Sequence, residues 1–158
     1  MKNKNFKKIK FWILMHLTAC IISIDIFSKF WIVNNIKIHE THKICTILNL
    51  FHVHNYGAAF SFLSTQTGWQ RWFLCIVSSF IILIFIKKSI QSSKINVFYY
   101  LIISGAIGNL IDRIFHGFVI DFIDFHLNNW HFFTFNIADA SIFIGVCMMI
   151  KQHFNQKT

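Results

Sequence analysis

The chain has 158 residues, 55% of them hydrophobic and 18% aromatic, with no proline and a formal net charge of +9. A mean hydropathy of +0.54 excludes an ordinary soluble domain. The basic excess does not form a nucleic-acid-binding face, because the lysines gather at Lys2, Lys4, Lys7, Lys8 and Lys10, at Lys87, Lys88 and Lys94, and at Lys151 and Lys157, all flanking long apolar runs. That is the pattern of the cytoplasmic segments of a multi-pass membrane protein.

Four runs approach the ~20 apolar residues that a hydrocarbon core requires. They predict spans over residues 11–33, 69–86, 97–115 and 135–150. With the basic clusters inside, both termini are cytoplasmic, and loops of about residues 34–68 and 116–134 face outward. The expected fold class is an all-α membrane protein with a small β element, residues 1–158 forming one integral membrane domain. A lysine-rich start before an apolar core also suits a signal peptide. No small-x-small cleavage site follows Ile24, however, and the run continues through Asp25 and Lys29 to Trp31, so an uncleaved spanning helix is expected.

In the first span Asp25 precedes Lys29 by four residues, on one helical face and in the favourable order for an ion pair. The plain reading is a snorkelling lysine with a satisfied partner. In the first outer loop the run from Ile47 to His54 favours β structure and predicts a strand. Asn55 and Gly57 follow as residues suited to positive φ, and Ala58, Ala59 and Phe60 start a short helix on the membrane surface. His52 and His54 share a strand face but supply too few ligands for a closed metal site, and His39-Glu-Thr-His42 lacks the helical HExxH spacing. No metal or organic cofactor is expected. Cys20, Cys45, Cys75 and Cys147 show no paired spacing and read as packing residues.

Arg71, between Trp69 and Trp72, reads as an interfacial anchor of the second span. In the third span Ser104 and Gly108 have the small-xxx-small spacing of close helix packing, Asn109 and Asp112 share a face, and Arg113 follows. The second outer loop carries Asp121 and Asp124 but no lysine or arginine. Three residues apart in an extended segment, the two acids face opposite sides, so only one looks into the helix bundle. Asn136 and Asp139 lie near the outer end of the fourth span, where Ser141 and Gly145 repeat the small-xxx-small spacing.

Asp25, Asp112, Asp121, Asp124 and Asp139 thus all fall at outer span ends or in the outer loop, and only Glu40 is left over from the six acids. A carboxylate withdrawn from water costs several kcal/mol unless it is paired, so a chain that retains such groups uses them. The set predicts a polar site at the outer membrane surface, with Asp121 and Asp139 as a catalytic pair. An ion-coupled transporter would need acids along the inner halves of the spans, where there are none. A docking protein would leave two separately placed aspartates without a purpose.

Five segments carry a family resemblance: Asp25-Ile-Phe-Ser-Lys29, Asn55-Tyr-Gly-Ala-Ala-Phe60, Gly105-Ala-Ile-Gly-Asn-Leu-Ile-Asp-Arg113, Val119-Ile-Asp-Phe122 and Phe135-Asn-Ile-Ala-Asp139. In this order they resemble the successive motifs of the bacterial lipoprotein signal peptidases, signal peptidase II, and they cover nearly the whole chain. The resemblance implies a multi-pass aspartic endopeptidase of the bacterial cytoplasmic (inner) membrane, with its site at the outer, periplasmic face in a small β-cradle. It implies prolipoprotein substrates cut before a diacylglyceryl-modified cysteine, a monomer in membrane lipid, and no nucleic acid. Asp121 and Asp139 match the catalytic pair. Asn55, Gly57, Asn109, Arg113 and Asn136 match positions that shape the site or bind substrate, and Asp25, Lys29 and Asp112 match supporting ones. Ile26, Ser104 and Phe133 depart from the usual Gln, Gly and Pro; none falls on the pair.

Overall fold

A computed structural model describes residues 2–57, 68–92, 96–128 and 130–155. Four helices, α1 (Lys2–Asn35), α2 (Trp69–Gln91), α3 (Val97–Phe115) and α4 (Ile137–Asn155), accompany four strands, β1 (Thr41–Cys45), β2 (Leu48–Asn55), β3 (Val119–Leu127) and β4 (Trp130–His131). Each helix contains a stretch long and apolar enough to cross a membrane, the first over Phe11–Asn35. The spans expected from the sequence correspond to these four, with α2 and α4 running further toward their C-terminal ends. The lysine-rich start is continuous with α1, which has no glycine or proline to interrupt it.

α3 is the buried centre of the bundle, whereas the other three helices turn most of their surface outward. Its glycines let the neighbours in. A Cβ at Gly105 would run into the Ala138 carbonyl of α4, and one at Gly108 would lie 2.6 Å from Asp25 Oδ2 and 3.2 Å from Ala138 Cβ. Gly145 of α4 admits Phe98 and Ile102 in the same way. Ser104 and Ser141 face each other across this seam with their hydroxyls 3.3 Å apart. The small-xxx-small stripes therefore are the α3–α4 contact, where close backbone approach supplies the packing that lipid-solvated apolar faces cannot. Ile76, Phe143, Phe27 and Phe30 stay exposed on the outward faces, as expected of side chains solvated by lipid.

The strands form one antiparallel sheet in the order β1-β2-β3-β4. The strand expected near residues 47–54 is β2; β1 and β4 are additional. A bulge between Leu50 and Val53 interrupts the β2–β3 register. The sheet sits on the end of α1 through a cluster of Ile32, Ile36, Ile120 and Phe122, against which Leu50 and Phe118 pack. The surface helix expected from Ala58 lies outside the described residues.

Candidate active site

The site is assembled along β3. Val53 pairs with Asp121 and Asn55 with Val119, which makes Asn55 and Asp121 diagonal neighbours on one face of the sheet. Asn55 Nδ2 donates to Asp121 Oδ2 at 3.0 Å. Phe135 bridges back to the same strand: its N–H donates to the Ile123 carbonyl at 3.1 Å, and its carbonyl accepts from Phe122 and Ile123 at 3.1 and 2.8 Å. The chain therefore enters α4 alongside Asp121.

Asn136, fully buried, stands immediately before α4 and does two things at once. Its Oδ1 accepts from the Asp139 N–H at 2.9 Å, satisfying one of the free donors at the helix start. Its Nδ2 donates to Asp121 Oδ1 at 2.6 Å and lies 3.2 Å from Asn109 Oδ1. From α3, Asn109 Nδ2 donates to Asp139 Oδ1 at 2.7 Å. The other Asp139 oxygen has no hydrogen-bond partner among the described residues. Burial, and then the neighbouring charge of Asp139, push the Asp121 carboxyl up to about 7, against the pull of its Asn55 and Asn136 donors.

Lys29 anchors the layer behind. Its Nζ lies 2.7 Å from Asp25 Oδ2 and 2.9 Å from Asp112 Oδ2, and it donates to Asn109 Oδ1 at 3.2 Å. Only 2% exposed, it does not snorkel to the interface as the plain reading of its spacing suggested. The reason is that two carboxylates from different helices converge on it. Asp25 Oδ1 in turn accepts from the Ala138 N–H at 2.8 Å, and Asp112 Oδ2 from the Ile120 N–H at 3.2 Å. One buried cation thus ties α1 and α3 together, and its two acids reach α4 and β3.

Arg113 NH2 donates to the Gly57 carbonyl at 3.0 Å, while its Nε is buried and has no hydrogen-bond partner among the described residues. Among the described residues, positive φ is recorded at His39, Asn128, Gly68 and Gly117, so the conformational freedom that Asn55 and Gly57 offer is not what forms this turn. The Gly57 N–H instead donates to Asn55 Oδ1 at 3.0 Å, a side-chain turn that needs no positive φ.

All ten residues singled out in the sequence lie in one hydrogen-bonded network. Asp124 does not. Three residues along β3 from Asp121, it is held by Asn49 Nδ2 at 2.9 Å and by His131 Nδ1 at 2.9 Å, so it satisfies its burial within the sheet. Among the described residues, no three His, Cys, Asp or Glu side chains are arranged to hold a metal ion.

The family model for signal peptidase (SPase) II matches residues 17–155. This chain belongs to the signal peptidase II family. It is therefore a peptidase, and its four spanning-capable helices make it a multi-pass membrane member. It is 55% identical over 152 residues to a lipoprotein signal peptidase of Buchnera aphidicola from Schizaphis graminum, covering 94% of this chain and 97% of the relative. Against that of Yersinia enterocolitica it is 44% identical over 142 residues, covering 87% and 84%. The fold is similar to that of a bacterial membrane enzyme solved by the in meso method at 2.3 Å resolution, with a TM-score of 0.83 and 29% identity over 92% of this chain and 89% of that one.

Arg71 is the residue whose reach the sequence hid. Its guanidinium crosses from α2 to the end of α3, donating through Nε to the Arg113 carbonyl at 2.8 Å and through NH2 to the Ile114 carbonyl at 2.6 Å. The flanking tryptophans pointed to the interface, and no spacing rule connects residues forty positions apart.

Proposed function

We propose that the chain removes the signal peptides of prolipoproteins, cleaving before the diacylglyceryl-modified cysteine, as an aspartic endopeptidase whose catalytic pair is Asp121 and Asp139. The observation that carries this reading is the convergence of two carboxylates from separate elements, β3 and α4, each held by asparagine amides, with burial first and then the charge of Asp139 raising Asp121 to about 7. Amide hydrolysis needs a base to activate water and an acid to protonate the carbonyl oxygen and then the leaving amine. Two neighbouring carboxylates that share one proton supply both.

In this mechanism Asp121 holds the shared proton. Asp139, in the first turn of α4, receives the positive end of the helix macrodipole, which suits it to the base's role. Asp139 takes a proton from a water held between the pair as that water attacks the scissile carbonyl. Asp121 protonates the developing oxyanion, and the roles reverse as the tetrahedral intermediate collapses and the amine leaves. Asn109, Asn136 and Asn55 keep the carboxylates oriented. Arg113 Nε, buried and without a partner among the described residues, is a donor that a substrate carbonyl could satisfy on binding.

The basic clusters favour a cytoplasmic (inner) membrane orientation with both termini inside and the sheet at the periplasmic face. There a signal peptide lying across the bilayer can present its junction while the acyl chains remain in lipid. The apolar loop over residues 56–63, which falls mostly outside the described residues, is the segment placed to clamp it.

The test is cleavage of a synthetic prolipoprotein peptide by purified protein in lipid, with and without diacylglycerol on the cysteine. Cleavage of the lipidated peptide alone, lost in Asp139→Asn and Asp121→Asn, is expected. Substantial cleavage by both variants at normal protein levels would rule out the pair.

A further inference from the structure

We propose that Arg71, outside every motif of the site, is a positioning residue for this peptidase: it pins the last turn of α3 and the corner into β3, and so sets Arg113, turn 55–57 and Asp121. The inference rests on the function proposed above.

The end of a helix leaves carbonyls without partners, and these are where α3 would fray. The carbonyl of Arg113 accepts from the Gly117 N–H at 3.2 Å and from Arg71 Nε at 2.8 Å, and that of Ile114 accepts from Arg71 NH2 at 2.6 Å. The planar fork of a guanidinium reaches both carbonyls at once, which a lysine ammonium cannot do in one fixed geometry. Arg71 is itself fixed, with its guanidinium carbon 4.9 Å from the centre of the Trp72 ring. Gly117 completes the joint. At φ +87° it turns the chain from α3 toward β3, and a Cβ there would lie 3.4 Å from Arg71 NH1.

This joint sits between the two halves of the site. On one side the same last turn carries Asp112, which binds Lys29 and the Ile120 N–H, and Arg113, which binds the Gly57 carbonyl. On the other side, four residues past Gly117, is Asp121. Gly57 is tied to Asn55, and Asn55 to Asp121 Oδ2, so the two routes from Arg71 close on the same carboxylate. Nothing in this arrangement brings Arg71 to the reacting atoms. Its effect is on where they stand.

The experiment compares full-length wild type, Arg71→Gln, Arg71→Lys and Asp139→Asn in lipid, with steady-state cleavage of a diacylglyceryl prolipoprotein peptide and thermal unfolding of each protein. For folded Arg71→Gln, kcat is expected to fall about 10- to 100-fold, the scale of a small misplacement set from a distance, with KM within about twofold of wild type. Arg71→Lys, which keeps the charge and can satisfy one carbonyl at a time, is expected to recover part of the loss. An interfacial anchor alone would alter insertion or stability and leave the kcat of folded protein unchanged. Unchanged kcat in Arg71→Gln, or a change confined to KM, overturns the proposal. If Arg71→Gln does not fold, Arg71→Lys decides: a severalfold drop in kcat supports the proposal, and wild-type kcat overturns it. Absence of cleavage by wild type, or its persistence in Asp139→Asn, would instead overturn the function on which the proposal rests.

Discussion

Asp121→Asn should make the protein more stable at alkaline pH while abolishing its activity. Folding raises the Asp121 carboxyl from 3.8 to about 7. The native state therefore binds that proton more tightly than the unfolded state does. Its contribution is fully present below pH 3.8 and is lost as the pH rises through about 7. Roughly three units at ~1.36 kcal/mol each amount to a penalty of about 4 kcal/mol in wild type by pH 8. Asparagine carries no charge and escapes it, at a cost of its own. The Asn136 and Asn55 amides donate to the two Asp121 oxygens, and one of them would meet the new side chain's NH2. A buried donor left unmatched costs ~1–3 kcal/mol, leaving a net gain of about 2 kcal/mol at pH 8. For a chain of this size that corresponds to a rise of about 4–8 °C in Tm. Thermal unfolding in detergent at pH 5 and pH 8 measures it: the variant should be ahead at pH 8, and the two proteins should converge near pH 5. A variant no more stable than wild type at pH 8, with a difference independent of pH, would show that Asp121 is not held at a raised value by its burial and by Asp139.

In the mechanism proposed above, the same proton sets the rate. Cleavage by wild type should decline about tenfold per pH unit above about 7 as Asp121 loses its proton, read from a kcat/KM profile. Asn55→Ala removes a donor that favours the charged carboxylate, so that alkaline limb should move to higher pH by up to about one unit while kcat falls. Lys29→Met leaves Asp25 and Asp112 in the bundle without the cation they share, and a loss of about 3–5 kcal/mol should appear as a lower unfolding temperature and a poor yield of folded protein. Gly108→Ala puts a methyl group against Asp25 Oδ2 and Ala138 Cβ, and overpacking of about 1–3 kcal/mol that pushes Asp25 aside should lower Tm.

How much of this was legible in the sequence depended on the range of the signal. The spans follow from hydropathy summed over about 20 residues, and small residues four apart mark the α3–α4 seam because a helix repeats its faces at that spacing. Asp121 and Asp124 were separable because a strand alternates. Asp124 does point elsewhere, to Asn49 and His131. The reach of Lys29 to Asp112, 83 positions away, was not legible: the i,i+4 partner accounts for Lys29 locally, and nothing in that spacing says that a second acid arrives from another helix. The turn at Gly57 was not legible for a related reason. Glycine permits positive φ without requiring it, and here an asparagine side chain closes the turn. β1 escaped because all five of its residues are exposed, so no buried face imposes an alternating pattern on it.

The charges of the network argue for a single proton on the pair. Asp25, Asp112, Asp121 and Asp139 bring four carboxylates into it, against the two cations Lys29 and Arg113. Lys29 is committed to Asp25 and Asp112, two acids that also accept the backbone N–H groups of Ala138 and Ile120. That half of the network is a fixed structural unit and carries a formal charge of −1 before the pair is considered. Arg113 spends its reach on the Gly57 carbonyl and contributes to the pair chiefly as a nearby charge. Two ionised aspartates beside it would leave the buried cluster at −2, whereas one proton on Asp121 halves that. The asparagines cannot help with charge, but they decide geometry: Asn109 fixes one Asp139 oxygen, while Asn55 and Asn136 fix both Asp121 oxygens. The oxygen of Asp139 left without a partner among the described residues is then the position from which a base can reach water. An enzyme that needs one acid and one base from two identical side chains can obtain the asymmetry in this way, by partnering one carboxylate completely and the other by half.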